Sequence, residues 1–320
     1  MIEKFEVFAH KIMRLTAAGR LNMGKRMLFV INPNAGKGRI KNHLFSIVNL
    51  FSTAGYEVTV YPTKKPGDGE RVVRERAAGY DLLVCAGGDG TLSEVARGLM
   101  EIETRPPVGY IPAGTTNDFA SSLKLPKNML KAASAAVCGE PFPCDIGSFN
   151  DTYFTYVAAF GAFTDVPYAT SQQFKNILGH LAYLLEGMKR LPTIRSFALH
   201  IEHDGEVVDD RFMFGMITNS TSTGGFKGLT GKGVKLDDGL FEASFIKMPN
   251  NLLDLQTIIT ALLRQEVNPK WICSFRTSRL QILSDKELPW TIDGEFGGAV
   301  QEVTIQNHRQ AITIYRPAKS

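Results

Sequence analysis

The sequence predicts an α/β protein in two parts, an N-terminal doubly wound parallel sheet and a C-terminal antiparallel β-rich domain of sandwich-like build. Between residues 25 and 144, apolar strand-like runs alternate with helical patterns, the signature of a parallel sheet covered on both faces. After Asp145 the texture changes to short strands separated by turn signals, as in an antiparallel assembly. The chain has 320 residues, 44% hydrophobic and 21% charged, which suits a water-soluble protein with two ordinary cores.

In order along the chain, residues 1–24 read as an extension. Residues 1–26 hold six Lys or Arg against Glu3 and Glu6, and the remainder balances at 30 of each sign. Phe5, Phe8, Ile12 and Leu15 have helix-like spacing. The segment either lies on an anionic membrane surface or is a solvated leader, with Met23 or Met27 as alternative starts. Strands follow at "MLFVI", "EVTVYP", "DLLVCA" and "VGYIP", with helices near 39–53, 67–78, 91–101 and 127–138. The second part offers "TYFTYVAAFG", "FALHIEHDGE", "RFMFGMITNS", "LFEASFIKM", "RLQILSD", "PWTIDGE", "EVTIQ" and "AITIYRP" as strands, with helices near 171–190 and 251–265. The glycine-rich "NSTSTGGFKGLTGKG" between them is a cleft loop or a solvated one.

Composition narrows the function. The net charge of +4 sits on the extension, whereas a nucleic-acid binder needs a broader basic surface. Cys85, Cys138, Cys144 and Cys273 make no CxxC pair and read as reduced thiols, with no zinc site. His200 and His203, three apart on a strand, point to opposite faces and read as surface decoration, not a metal pair. No apolar segment is long enough to span a bilayer and no signal-like stretch opens the chain, so a cytoplasmic protein is expected.

Three strand ends carry the chemistry. In "AGGDGTLSEV", Gly87, Gly88 and Gly90 let the main chain approach a bulky anion, and Thr91 and Glu94 have the spacing of a capping box that opens the next helix. A phosphate there meets amides and the positive end of that helix. Asp89 would repel a bare phosphate, so it is expected to hold Mg²⁺, water or the loop's own amides; the plain alternative is an Asp-Gly turn. "VGYIPAGTTNDFA" runs a second strand into Gly114, Thr115, Thr116, Asn117 and Asp118, and "INPNAGKG" is a third strand end. The latter lacks the spacing and hydroxyl of a Walker loop, and no GxGxxG occupies a first βα turn.

Together "NPNAGKG", "GGDGTLSEV", "IPAGTTNDFA", "GHLAYLLEGMK", "KLDDGLFE" and "IDGE", in this order from about residue 27 onward, resemble the diacylglycerol kinase catalytic family, which includes sphingosine kinases and soluble bacterial lipid kinases. The resemblance implies an ATP-binding α/β domain at 25–144, to which 307–320 return, a lipid-substrate domain at 145–306, and an active site in the cleft between them. It implies transfer of the γ-phosphoryl group of ATP to a lipid hydroxyl, most often of diacylglycerol to give phosphatidic acid. Asn32, Pro33, Asn34, Ala35, Gly36, Thr63, Gly88, Asp89, Gly90, Thr91, Leu92, Ser93, Glu94 and Thr115 would line the nucleotide.

The resemblance further implies a structural Mg²⁺ held by the carboxylate of Asp238 and the main-chain oxygens of Lys235 and Leu240, a set that suits a hard cation. Glu295 would be the proton acceptor, with Asp293 sharing that role or holding Mg²⁺. Read by themselves, these two are an Asp-Gly hairpin turn with two solvated acids. The expected partners are ATP and a lipid at a membrane surface, with transient peripheral association; a homodimer is left open and no nucleic acid is expected. The alternatives are an NAD kinase, which shares "GGDGT", and a non-catalytic nucleotide-sensing regulator.

Overall fold

The structure, a computed structural model, describes residues 24–161, 195–220, 234–264, 266 and 268–318. The basic extension before Gly24, the apolar pattern at 171–190 with "GHLAYLLEGMK", and the glycine-rich stretch beyond Ser220 lie outside the described residues. Two compact units emerge, one of Met1–Phe142 with Thr313–Ser320, the other of Pro143–Ile312.

The first unit runs β1 (Lys25–Ile31), α1 (Leu44–Thr53), β2 (Tyr56–Pro62), α2 (Asp68–Arg76), β3 (Leu82–Gly87), α3 (Asp89–Met100), β4 (Val108–Pro112), α4 (Asp118–Ser122) and α5 (Met129–Cys138). Its strands are parallel in the order β2-β1-β3-β4, and Ile314 and Tyr315 pair in parallel with Val108 and Gly109. Every residue of β3 and β4 is buried, which is why these strands read as unbroken apolar runs without alternation. On one face Phe29, Val84 and Ala86 share a core with Ile47 and Phe51 of α1 and Ala132 and Ala136 of α5. The chain steps from β1 to β2 on one side and then to β3 on the other, so the carboxyl ends of β1 and β3 adjoin at a topological switch point, where ligands of such sheets bind. The α-helix expected from residue 39 begins only at Leu44; residues 39–42 belong to a 3-10 stretch, Ala35–Asn42, which is itself kinked where Gly36, Lys37 and Gly38 take positive φ, at 55°, 63° and 73°.

The rest is predominantly antiparallel: β5 (Glu140–Phe149), β6 (Thr152–Phe154), β7 (Val157–Gly161), β8 (Phe197–His203), β9 (Glu206–Thr218), β10 (Phe241–Lys247), α6 (Leu252–Arg264), β11 (Ile272–Thr277), β12 (Arg279–Ile292) and β13 (Glu295–Arg316). Pairing shows β7 and β8 filling one lane end to end. Phe160 lies opposite Gly215 of β9 and Trp290 of β12, and Ile201 opposite Val208 and Ile282 of the same two strands. The two runs "RLQILSD" and "PWTIDGE" are one strand, β12, irregular between Leu283 and Leu288, and "EVTIQ" and "AITIYRP" are likewise parts of β13. Phe149, Phe160, Phe212, Phe245 and Trp290 form the centre of this core.

The histidines separate as their spacing requires, but only one is at the surface. His203 is buried and stacks on Phe275 at 3.5 Å, because Phe275 fills that face of the sheet. His200 stays outside, its ring nitrogens 3.0 Å from Glu202 and 2.7 Å from Asp209, and these carboxylates raise its pKa. The stabilisation from imidazolium is therefore present below the unfolded-state pKa and is lost as pH rises through the higher folded value. His200→Gln should lower Tm at about pH 5.5 and change it little at about pH 9; a pH-independent difference in thermal scans would contradict this assignment.

Candidate functional site

Three loops at the ends of β1, β3 and β4 pack main chain against main chain. A Cβ on Gly36 would overlap the carbonyl oxygen of Ala113, and one on Gly114 would lie 2.6 Å from the Cα of Gly88. Only glycine permits either approach, since real Cβ atoms do not sit so close to main chain. Asn117, at φ 55°, closes the "AGTTN" turn: its Oδ1 accepts the Gly114 N–H at 3.0 Å and its Nδ2 donates to the Gly114 carbonyl at 2.8 Å. Asn32 ties the first loop to the second, donating from Nδ2 to Thr91 Oγ1 at 3.3 Å while its Oδ1 accepts the Asn34 N–H at 3.0 Å.

The acid of "GGDGT" faces amides. Asp89 accepts the N–H groups of Asp118 at 3.0 Å and Phe119 at 3.3 Å, so its charge is compensated by the start of α4. Behind it, α3 begins on Gly88, with no side chain capping it, which leaves a positive helix end bordered by glycine.

The expected capping box does not form. Because α3 starts at Asp89, Thr91 is its third residue and not its cap. Glu94 instead reaches the start of α2, accepting the N–H groups of Gly67 at 2.8 Å and Gly69 at 2.9 Å. Asp68, buried, holds the same turn from inside, accepting from Lys64 N–H at 2.8 Å and Lys65 N–H at 3.3 Å, and the first of these bonds does most to lower its pKa. Thr63 opens that turn with its N–H on the Ile31 carbonyl at 2.8 Å.

The nucleotide-loop residues expected from sequence thus stand at the ends of β1 to β4, but in different capacities. Asn34 and Thr115 are exposed, Asn32, Pro33, Ala35, Gly36, Thr63, Gly88, Asp89 and Gly90 are partly exposed, and Leu92 and Ser93 are buried in helix packing. Asp68 was not singled out beforehand, although an Asp-Gly after Pro66 announces a built turn.

In the second unit Asp293 and Gly294 form the two-residue turn between β12 and β13, with φ of 49° and 88°, as a type I′ hairpin requires. The turn expected from sequence is present, but Asp293 is not solvated. It is buried, and its carboxylate accepts the N–H and hydroxyl of Thr155, at 2.7 and 2.9 Å, and the N–H groups of Tyr156 and Val157, at 3.0 and 3.1 Å. Glu295 is exposed.

Beside the turn carrying Lys235, Asp238 and Leu240 stands a second acid, Glu242, in β10. Asp238 accepts the Leu240 N–H at 3.1 Å and pairs with Arg276 Nη2 at 2.6 Å; Arg276 Nε also reaches Glu242 at 3.1 Å. Glu242 is buried, its Oε2 has no hydrogen-bond partner, and burial, opposed by Arg276, pushes its pKa up to about 7. Asp145, also buried and raised in pKa by that burial, accepts the N–H of Gly239 at 2.6 Å and of Gln310 at 2.7 Å. An acid inside the apolar run "CDIGSF" was the available signal for Asp145. Among the described residues no three His, Cys, Asp or Glu side chains gather as a metal-binding group. Arg276 already supplies the positive charge that Asp238 and Glu242 share here, and Glu242 Oε2 is the one oxygen of this pair of acids left without a hydrogen-bond partner.

Comparison with known proteins agrees with these loops. Residues 26–149 match the family model described as the diacylglycerol kinase catalytic domain, a stretch that contains all three glycine loops. A diacylglycerol kinase of Bacillus subtilis (strain 168) is 36% identical over 276 residues, 86% of this chain and 91% of that protein. One from Staphylococcus carnosus (strain TM300) is 36% identical over 301 residues, 92% of this chain and 96% of that protein. Among solved structures, a diacylglycerol kinase from Bacillus anthracis str. Sterne superposes with a TM-score of 0.71 at 25% identity, covering 91% of this chain and 97% of that one.

If Asp293 is a structural anchor, Asp293→Ala should cost at least about 2 kcal/mol in urea unfolding, because buried amides lose their acceptor. A loss within error of zero would remove that role.

Proposed function

Since the chain belongs to the diacylglycerol kinase catalytic family and is a lipid kinase, we propose that it transfers the γ-phosphoryl group of ATP to the free hydroxyl of diacylglycerol, giving phosphatidic acid and ADP. The observation that most supports this reading is the glycine-bordered start of α3 at the switch point, with Asp89 turned onto the amides of α4. On this reading the parallel unit is the doubly wound nucleotide domain and the antiparallel unit, with sandwich-like layering, is the lipid-substrate domain. Asn32–Gly36, Thr63, Gly88–Thr91 and Thr115 meet the nucleotide. Leu92, Ser93 and Glu94 act through packing and through the Gly67–Gly69 turn.

Glu295 takes the proton of the attacking hydroxyl, whose oxygen forms a bond to the γ-phosphorus. The bond from phosphorus to the bridging oxygen breaks, and ADP leaves with the electron pair. Asp293, whose carboxylate is engaged by Thr155, Tyr156 and Val157, is assigned to hold the hairpin and not to share the base role. Mg²⁺, when bound, supplies positive charge to the nucleotide and to the 235–240 turn. There Asp238, with the main-chain oxygens of Lys235 and Leu240, would hold it, next to the open oxygen of Glu242. A substrate with its acyl chains in a bilayer also calls for transient attachment to a membrane; among the described residues no helix is long and apolar enough to cross one.

With labelled ATP and diacylglycerol in mixed micelles, Glu295→Gln should lower kcat by roughly 10² or more while leaving ATP binding nearly unchanged. Full turnover by that variant would reject Glu295 as the base, and no labelled lipid from the wild type would reject the reaction.

A further inference from the structure

The hairpin that carries Glu295 has an exposed aromatic residue directly behind it. Phe296 is 75% exposed, and Gly297, Gly298, Ala299 and Val300 continue β13 without a charge. Across the hairpin Glu295 pairs with Ile292 and Phe296 with Thr291, and the register shifts just beyond, so the two side chains leave neighbouring positions on opposite faces. The turn between the strands is held by Asp293 and its bonds to Thr155, Tyr156 and Val157, so Phe296 projects from an anchored tip.

A diacylglycerol in a bilayer keeps its hydroxyl at the headgroup level. A base must come within about 3 Å of that hydroxyl to take its proton. Adjacent Cα atoms are about 3.8 Å apart, and the interfacial layer into which apolar side chains dip is about 5–10 Å deep. When the hairpin enters that layer tip first, both of its faces lie at the same depth near the turn, so an exposed side chain next to the base enters the layer as the base reaches its substrate. Phe is among the side chains that interfacial segments bury at this boundary, and an uncharged flank does not oppose it.

We infer that Phe296 is a membrane-interface anchor, seating the tip of the β12–β13 hairpin in the lipid surface that holds the substrate and so setting Glu295 at the depth of the hydroxyl. This rests on Glu295 being the proton acceptor. It makes Phe296 a positioning residue whose effect belongs to membrane-held substrate alone.

The test compares wild type, Phe296→Ser and Phe296→Trp on two substrates. These are long-chain diacylglycerol in phosphatidylcholine vesicles and dihexanoylglycerol dissolved below its critical micelle concentration, with co-sedimentation on the same vesicles as a second readout. Phe296→Ser should raise the apparent KM for vesicle substrate roughly tenfold, leave kcat and the KM for ATP unchanged, and sediment less; Phe296→Trp should restore both readouts. Turnover of dihexanoylglycerol should be the same in all three. Equal KM and equal sedimentation of wild type and Phe296→Ser would overturn the inference, as would an equal loss on the dissolved substrate. A wild type that phosphorylates neither lipid would defeat the proposed reaction instead, and sedimentation would still decide whether Phe296 anchors.

Discussion

The bond on which both units depend is a carboxylate accepting main-chain amides from a distant part of the chain. Asp89, Glu94, Asp145 and Asp293 all make it, across separations from 25 residues, Glu94 to Gly69, to 165, Asp145 to Gln310. Buried or half-buried N–H groups at strand ends and turns have no ladder partner and must find an acceptor. A carboxylate can satisfy two or more of them at once, and the amide dipoles compensate its charge. The loops gain a fixed path without covering themselves in side chains. Gly36 and Gly114 can then press against neighbouring main chain, and the start of α3 can stay bordered by glycine.

The same device explains how much of the molecule was legible in its sequence. The strands of the first unit were, because strands buried on both faces appear as apolar runs and the helices between them carry their own period. The Asp-Gly turn at 293–294 was legible for a local reason, since two successive residues must take positive φ. Partners far along the chain were not. Glu94 looked like half of a capping box because its spacing from Thr91 is local, whereas its actual partners, Gly67 and Gly69, belong to another helix start. Asp293 looked solvated because Thr155 stands 138 residues away. β5 was missed because Pro141 and Pro143 break its pattern, and β11 because Ser274 and Arg276 make its alternation look like a surface loop.

Acids that hold the fold and acids available for chemistry can be told apart by what their oxygens already do. A carboxylate bound by several amides has little acceptor capacity left for a substrate proton, and giving up those bonds would release the segment it organises. Asp293 is such a group. By fixing Thr155 to Val157 against the turn it sets where the next residues of β13 begin, so that Glu295, two positions on, inherits a defined place while remaining exposed. The "DGE" pattern thus separates into an anchor, a glycine that takes the positive φ of the turn, and an exposed acid. Two carboxylates so near in sequence differ in surroundings, one committed to main chain and buried, the other exposed.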